Sequence, residues 1–375
     1  MRIGINAYEA NVLNRVGSNQ YAYNILVQLE KLTSQVGDEV TVFLASEPIA
    51  DMPKARVGWS YRIVTPAKLW SLWRLPLDLY VGKLGGRAFD VFYSLGHYAP
   101  RFCPFPSVIS VMDVAYLKFP EFFKKSDVWK LTLWTAYSAR NAAHIITISD
   151  HTKRDIIEYY KKTEDQITVA YPGMTKVELI GTPTRALQKL RIKQPYIVYI
   201  GTIQPRKNLI RLIKAFELVI AKHHHQSLQL VIAGKVGWFA DEFVRVTQHS
   251  SAKKNIHVVG FVTDEEKFAL YKQAVAAVLV GLYEGFGIPP LEAISAGTIP
   301  IVSETASLPE VVGPGGVLVD PYSVDDIARG ILEVLEYKDR EREHMIEEGR
   351  RYAEKFSWEQ SAQKVLDVLH RIGGV

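Results

Sequence analysis

A chain of 375 residues, 48% hydrophobic and 23% charged, is too long for one core and too apolar to stay disordered, so two folded domains are expected. A net charge of +5 is too mild to call for a nucleic-acid partner, and no aromatic RNA-binding motif accompanies it. The single cysteine, Cys103, excludes an internal disulfide and a cysteine-built zinc site, and it points to a reducing, cytoplasmic setting.

The chain opens on a strand-like segment, Met1 to Asn6, and not on a basic leader followed by a long apolar stretch. Its longest apolar runs are too short to span a membrane. Short apolar segments at Ile3–Ile5, Val40–Leu44, Val91–Ser94, Ser107–Val111 and His144–Thr147 alternate with helical patterns, of which Gln20–Leu32 is the first. That alternation predicts a parallel, doubly wound sheet. A glycine turn at Gly17 precedes the first helix, where free amides can meet an anion. Between Pro53 and Arg87, seven basic residues stand against one acid, Asp78, with Trp59, Trp70 and Trp73 interleaved. The mixture suits anionic lipid headgroups or a lipid pyrophosphate, and equally a packed helix with a solvated basic face. His97 and Asp113 each follow a strand. His97 either meets a ligand or serves the structure, and Asp113 either meets a ligand or caps its strand end.

The pattern breaks at Tyr171-Pro172-Gly173, and the polar stretch to Gln194 reads as a linker. A second alternation follows, with strands at Tyr196–Ile200, Gln229–Ala233, Ile256–Val259, Val275–Val280, Ile299–Val302 and Gly316–Val319. In such sheets ligands bind beyond the carboxyl ends of the strands. After the first of these strands, Arg206 and Lys207 crowd two cations at a helix start, where the dipole disfavours them unless a phosphate is present. Asn208 is placed to cap that helix, Leu209–Ala221, and Thr263 or Asp264 to cap a later one. Gly234-Lys235 again puts glycine at a strand end, and His223, His224 and His225 close a helix without further ligands for a metal.

The stretch Gly281–Gly297 carries the densest signal. Gly285, Phe286, Gly287 and Ile288 form a loop whose amides a ligand can approach, Pro289 and Pro290 open a helix, and Gly297 ends it. Glu284 falls in the loop and Glu292 in the first helical turn, where the dipole keeps a carboxylate ionised. Two acceptors flanking free amides suit a nucleotide sugar. The plainer alternative is a helix carboxylate of electrostatic value and a solvated loop residue.

E-G-F-G-I-P-P-L-E at Glu284–Glu292, followed by S-L-P-E-V-V at Ser307–Val312, resembles the E-x7-E signature of the retaining GT-B glycosyltransferases of family 4, which include many mannosyl- and glucosyltransferases. The resemblance implies two Rossmann-like α/β domains facing across a cleft. Residues 1–175 would bind acceptor, 176–357 would bind the nucleotide sugar, and 358–375 would cross back to the first domain. Gly201 to Asn208 resembles the family's G-T-x-x-P-R-K-N, which implies that Arg206 and Lys207 stabilise the departing diphosphate and that Glu284 acts beside the transferred sugar. Donor contacts would come from Gly17, Gly201, Gly234, Lys235, Phe261, Val262, Gly285, Phe286, Gly287, Ile288 and Glu292, with Asp113 and His97 toward sugar or acceptor. Met112 stands where the family pattern has histidine.

The expectation is a metal- and cofactor-independent transfer of a hexose, mannose first, to a saccharide or lipid-linked acceptor. The setting would be the cytoplasm, with peripheral contact to an anionic membrane. Rival readings are a noncatalytic nucleotide-sugar-binding partner of another transferase, which Met112 favours, and a GT-B epimerase or phosphorylase. A dinucleotide dehydrogenase is disfavoured because Gly17-Ser18-Asn19 lacks the G-x-G-x-x-G spacing.

Overall fold

Strands that are apolar on both faces must be covered on both faces, and the connections that do so are helices. The computed structural model describes residues 1–15, 17–174, 183–222 and 225–375. It forms two compact units, one of Met1–Gly173 with Phe356–Val375 and one of Met174–Lys355.

Among the described residues the first unit holds seven strands: β1 (Arg2–Asn6), β2 (Glu39–Leu44), β3 (Trp59–Ile63), β4 (Val91–Ser94), β5 (Ser107–Val111), β6 (His144–Thr147) and β7 (Ile167–Val169). All pair in parallel, in the order β3-β2-β1-β4-β5-β6-β7. The chain therefore reverses its direction of winding between β1 and β4, and loops at their carboxyl ends diverge there. Two of these strands escape sequence reading. β3 is a half-buried edge strand with a basic residue in it, and β7 has three residues, so tertiary pairing and not local pattern defines both. The last helix, Trp358–Gly373, packs on Ser18–Val36 and on β4 and β6 in this first unit.

The basic, aromatic stretch, which the sequence leaves open between a lipid-facing surface and a packed helix, divides sharply. Trp59 and Trp70 are buried, Trp70 in a cluster with Phe43, Leu79, Phe92 and Phe105, while Trp73 remains exposed. Arg56 pairs with Glu30, and Arg62 and Arg87 both pair with Asp78.

The second unit holds six described strands, β8 (Tyr196–Ile200), β9 (Gln229–Ala233), β10 (Ile256–Gly260), β11 (Ala276–Leu279), β12 (Ile299–Ser303) and β13 (Val317–Val319). They pair in parallel in the order β10-β9-β8-β11-β12-β13. The winding reverses between β8 and β11, which are neighbours in the sheet. Part of the expected linker is ordered structure. Pro183–Leu190 is a helix whose Leu187 joins the core beside Tyr196 and Leu270. Residues 175–182 of that linker, with the expected boundary at 175/176, and His223 and His224 lie outside the described residues.

The docking of the last helix carries a pH signature. His144 on β6 is buried, its Nε2 shares a hydrogen bond of 2.9 Å with Thr168 Oγ1, and Arg371 donates to its Nδ1 at 3.2 Å. Burial first, then the Arg371 charge, pull its pKa from 6.5 down to about 4. The folded value lies below the unfolded one, so the unfolded chain takes up the proton first, and this contribution to stability is intact above 6.5 and lost as pH falls toward 4. Urea unfolding across that range is expected to show a falling midpoint that His144→Gln flattens; an unchanged slope in the variant would contradict it.

Candidate functional site

The loops that leave β8 and β11 meet at the reversal of the second sheet. After β8, Pro205–Lys207 forms a single 3-10 turn with Arg206 and Lys207 at its carboxyl end, a favourable position for cations. They do not start the helix Leu209–Lys222, as the sequence suggests, and they do not lack a counter-ion. Lys207 Nζ lies 2.5 Å from Glu284 Oε1 and Arg206 Nη1 lies 3.3 Å from Glu284 Oε2. Arg206 also donates to the Tyr283 carbonyl. Glu284 is only 6% exposed, so it is neither a solvated loop residue nor a free acceptor. Burial alone would raise its pKa, but Lys207 and then Arg206 outweigh that and hold it below the ordinary value.

Further bonds fix the two loops. The Leu282 amide donates to the Arg206 carbonyl at 2.9 Å, and Ser307 Oγ lies 2.7 Å from the carbonyls of both Glu284 and Phe286. Asn208 holds the cap position, its carbonyl accepting from the Leu212 amide at 3.3 Å, but its Oδ1 accepts from the Arg211 guanidinium at 2.9 Å. It sits at φ 61°, buried, and its Nδ2 donates to the carbonyls of Val280 at 2.9 Å and Pro321 at 2.7 Å. Gly287 caps the helix Ile288–Ala296 at φ 116°, a conformation that strains any side chain, and a Cβ there would come within 2.7 Å of Leu308 Cδ2. Gly297 ends that helix in the left-handed conformation, as expected.

Glu292 is the fifth residue of this helix and so lies in its second turn, not its first. It pairs with Lys267 at 2.5 Å, and Lys267 also reaches Asp264 at 3.1 Å. Burial raises the Glu292 pKa from its ordinary value, against the pull of Lys267, so a neighbouring cation and not the helix dipole alone sets its charge. Thr263 caps the helix Asp264–Gln273, accepting from the Glu266 amide at 3.2 Å while Glu266 accepts from the Thr263 amide at 2.9 Å.

Gly201, Gly234, Lys235, Phe261 and Val262 gather at the carboxyl ends of β8, β9 and β10. The backbones of Gly234 and Gly201 approach so closely that a Cβ on Gly234 would meet the Gly201 oxygen at 1.9 Å. Lys235 Nζ sits 5.1 Å from the centre of the Phe261 ring. In the first unit, Gly17 opens the helix Ser18–Val36, and His97 and Asp113 lie beyond β4 and β5. His97 Nε2 accepts from the Met112 amide at 3.2 Å, and its buried Nδ1 has no partner among the described residues. Burial lowers the His97 pKa, against the pull of Asp113. Asp113 Oδ1 accepts from the Ala115 amide at 3.0 Å, as a strand-end cap would. Sequence reasoning missed Glu9, whose carboxylate accepts from Asn19 Nδ2 at 2.7 Å next to Gly96, and Lys267, the partner of Glu292. The partners stand 10 and 25 residues apart, beyond the three- and four-residue spacings of a helix face, and leave no local pattern.

Residues 184–352 match the family described as glycosyl transferases group 1. Over 265 residues the chain is 32% identical to O-antigen chain mannosyltransferase B of Escherichia coli, an alignment covering 70% of this chain and 69% of that protein. The chain belongs to the group 1 glycosyl transferases. It is a glycosyltransferase of two Rossmann-like units with the GT-B architecture. A second relative, the serotype-specific mannosyltransferase WbdA of Escherichia coli, is 29% identical over 240 residues, which is 61% of this chain but 29% of that longer protein. Among solved structures, sucrose-phosphate synthase from Thermosynechococcus elongatus superposes with a TM-score of 0.76 at 18% identity, covering 99% of this chain and 98% of that one. Anabaena HepE, solved with UDP and glucose, gives 0.70 at 16% identity over 98% of each chain.

Asn208 offers a direct test of how this glycosyltransferase holds its loops. Asn208→Ala strands two buried carbonyls, each costing about 1–3 kcal/mol. Urea denaturation is expected to show a loss on the order of 2 kcal/mol or more with an unchanged slope. Stability equal to that of the parent would mean that the loops are held by other bonds.

Proposed function

We propose that this glycosyltransferase moves a hexose, mannose first, from a nucleoside diphosphate to a saccharide or lipid-linked acceptor, with retention of anomeric configuration. It does so at the cytoplasmic face of an anionic membrane, in polysaccharide assembly. The observation that carries the reading is the buried Lys207–Glu284–Arg206 cluster at the reversal between β8 and β11, the place in an open α/β sheet where a phosphate ligand fits. The names of both mannosyltransferase relatives support mannose, the O-antigen chain named for the first supports a glycan acceptor, and the UDP-glucose complex of HepE supports a nucleotide-sugar donor.

In the transfer, the bond from the sugar's anomeric carbon to the β-phosphate oxygen breaks as the bond to the acceptor oxygen forms on the same face. The acceptor's hydroxyl proton passes to the departing phosphate. Negative charge grows on the diphosphate, and Arg206, Lys207 and the amides of Gly285 to Ile288 supply the countering charge without a metal. Glu284 holds both cations in place, and Glu292 accepts hydroxyl donors of the nucleoside. Gly201, Gly234, Lys235, Phe261 and Val262 line the nucleotide's side of the site. Of the first unit's residues, Gly17 serves the donor and His97 and Asp113 serve sugar or acceptor, His97 through the Nδ1 that has no partner among the described residues.

Lys207→Ala is expected to reduce single-turnover transfer on the order of 10²-fold or more, and Arg206→Ala less. Near-normal rates in the double variant would sink the phosphate assignment. Transfer is expected to survive excess EDTA, whereas its abolition by chelator and rescue by Mg²⁺ or Mn²⁺ would show that a metal carries the charge.

Glu292→Gln is expected to weaken diphosphate and donor binding alike. Glu284→Gln, which removes a negative neighbour of two cations, should lower turnover while diphosphate binding is kept; calorimetry with the diphosphate separates the two. The donor is tested with GDP-mannose, UDP-glucose, UDP-N-acetylglucosamine and UDP-galactose. The reading expects mannosyl transfer with retained configuration by NMR; tight binding without turnover would favour the noncatalytic partner, and interconversion of sugar epimers the epimerase.

A further inference from the structure

The helix Leu75–Leu84 and the π-helical turn Trp70–Arg74 before it bury one side in the first unit's core, through Trp70, Leu75 and Leu79. Their other side is also apolar. Leu69, Trp73, Leu77, Tyr80, Val81 and Leu84 recur every three or four residues along it and are all exposed, Trp73 at 47% and Leu84 at 89%. A helix apolar on both sides is not finished by the chain that carries it. The stripe continues sideways. The Arg101 amide donates to the Ser71 carbonyl at 3.0 Å, which sets Phe102, 67% exposed, beside the turn. The Phe102 amide donates to Tyr137 Oη at 2.8 Å, and Leu133 and Trp129 follow Tyr137 one and two turns back along the helix Lys125–Asn141, both exposed.

Cations rim this surface. Lys68, Arg74, Lys83, Arg101, Lys125 and Lys130 have no ion pair among the described residues. Arg74 and Lys83 bond only to the carbonyls of Thr65 and Pro104, and Arg101 lies over the rings of Phe102 and Tyr137. Of the acids in these elements, Asp78 is already bridged by Arg62 and Arg87, which leaves Asp127. A second copy docked on the same face would set these cations against their own equivalents. An anionic bilayer instead takes the tryptophan, tyrosine and leucine side chains at headgroup depth and the cations at the phosphates. We propose that this face of the first unit is the surface by which the enzyme lies on an anionic membrane. The proposal rests on the reading of a membrane-side acceptor and gives it a place in the structure.

The full chain is mixed with phosphatidylcholine vesicles, with or without phosphatidylglycerol, and sedimented. It is expected to bind the anionic vesicles, less as salt rises, and to leave the neutral ones largely free. Trp73→Ser with Leu77→Ser and Phe102→Ser should weaken binding about tenfold or more. Lys68→Glu with Arg101→Glu should weaken it about fivefold or more per residue. Calorimetry with nucleoside diphosphate on the same variants is expected to be unchanged, which shows them folded and keeps the donor site's test separate. Equal vesicle binding by parent and variants, or a parent that stays in the supernatant with anionic vesicles, would overturn the proposal. So would a parent dimer that the apolar variant dissociates, because a second copy would then cover the stripe.

Discussion

One buried carboxylate between two cations holds the candidate site together. Glu284 comes from the loop after β11, Lys207 and Arg206 from the loop after β8, and the bonds among them tie the two loops at the point where the sheet reverses its winding. Charges this deeply buried are stable only as a set, and removing one member of such a set typically costs about 3–5 kcal/mol because the others lose their compensation. The set carries one positive charge in excess. A diphosphate bound there would meet two cations whose side chains are already ordered, so little conformational freedom would be lost on binding.

The surrounding bonds serve the same end. Ser307 fixes the loop through the carbonyls of Glu284 and Phe286, Asn208 fixes the end of β11, and Gly287 lets the chain turn into its helix where a side chain would strike Leu308. The helix then carries Glu292 away to a different cation, Lys267. The two glutamates of one short motif thus occupy distinct electrostatic settings. Lys207 and Arg206 overcome burial at Glu284 and leave its pKa lowered, whereas at Glu292 burial prevails over Lys267.

Much of this was legible in the sequence, and the remainder has a common cause. The alternation of buried strands with helices gave two Rossmann-like units, and the Glu284–Glu292 stretch pointed to the group 1 glycosyl transferases. Patterns within a few residues were readable, as at Gly297 and at the Thr263 cap. What failed depends on contacts between distant segments. Arg206 and Lys207 looked unpaired because their partner lies 77 or 78 residues away. Asn208 does stand at the cap position, but the acceptors of its side chain, Val280 and Pro321, cannot be seen locally. Composition alone left Trp59, Trp70 and Trp73 open between a lipid-facing and a packed role, and the fold divides them, burying the first two and exposing the third beside leucines and tyrosines.

The central claim is that Lys207 and Arg206, ordered by Glu284, hold the donor's diphosphate. A crystal structure with the nucleoside diphosphate of the preferred donor tests it most directly. The account predicts β-phosphate oxygens within hydrogen-bond reach of Lys207 Nζ and the Arg206 guanidinium, with Glu284 still bonded to at least one of them. A diphosphate bound elsewhere, with both cations still turned wholly to Glu284, would contradict it.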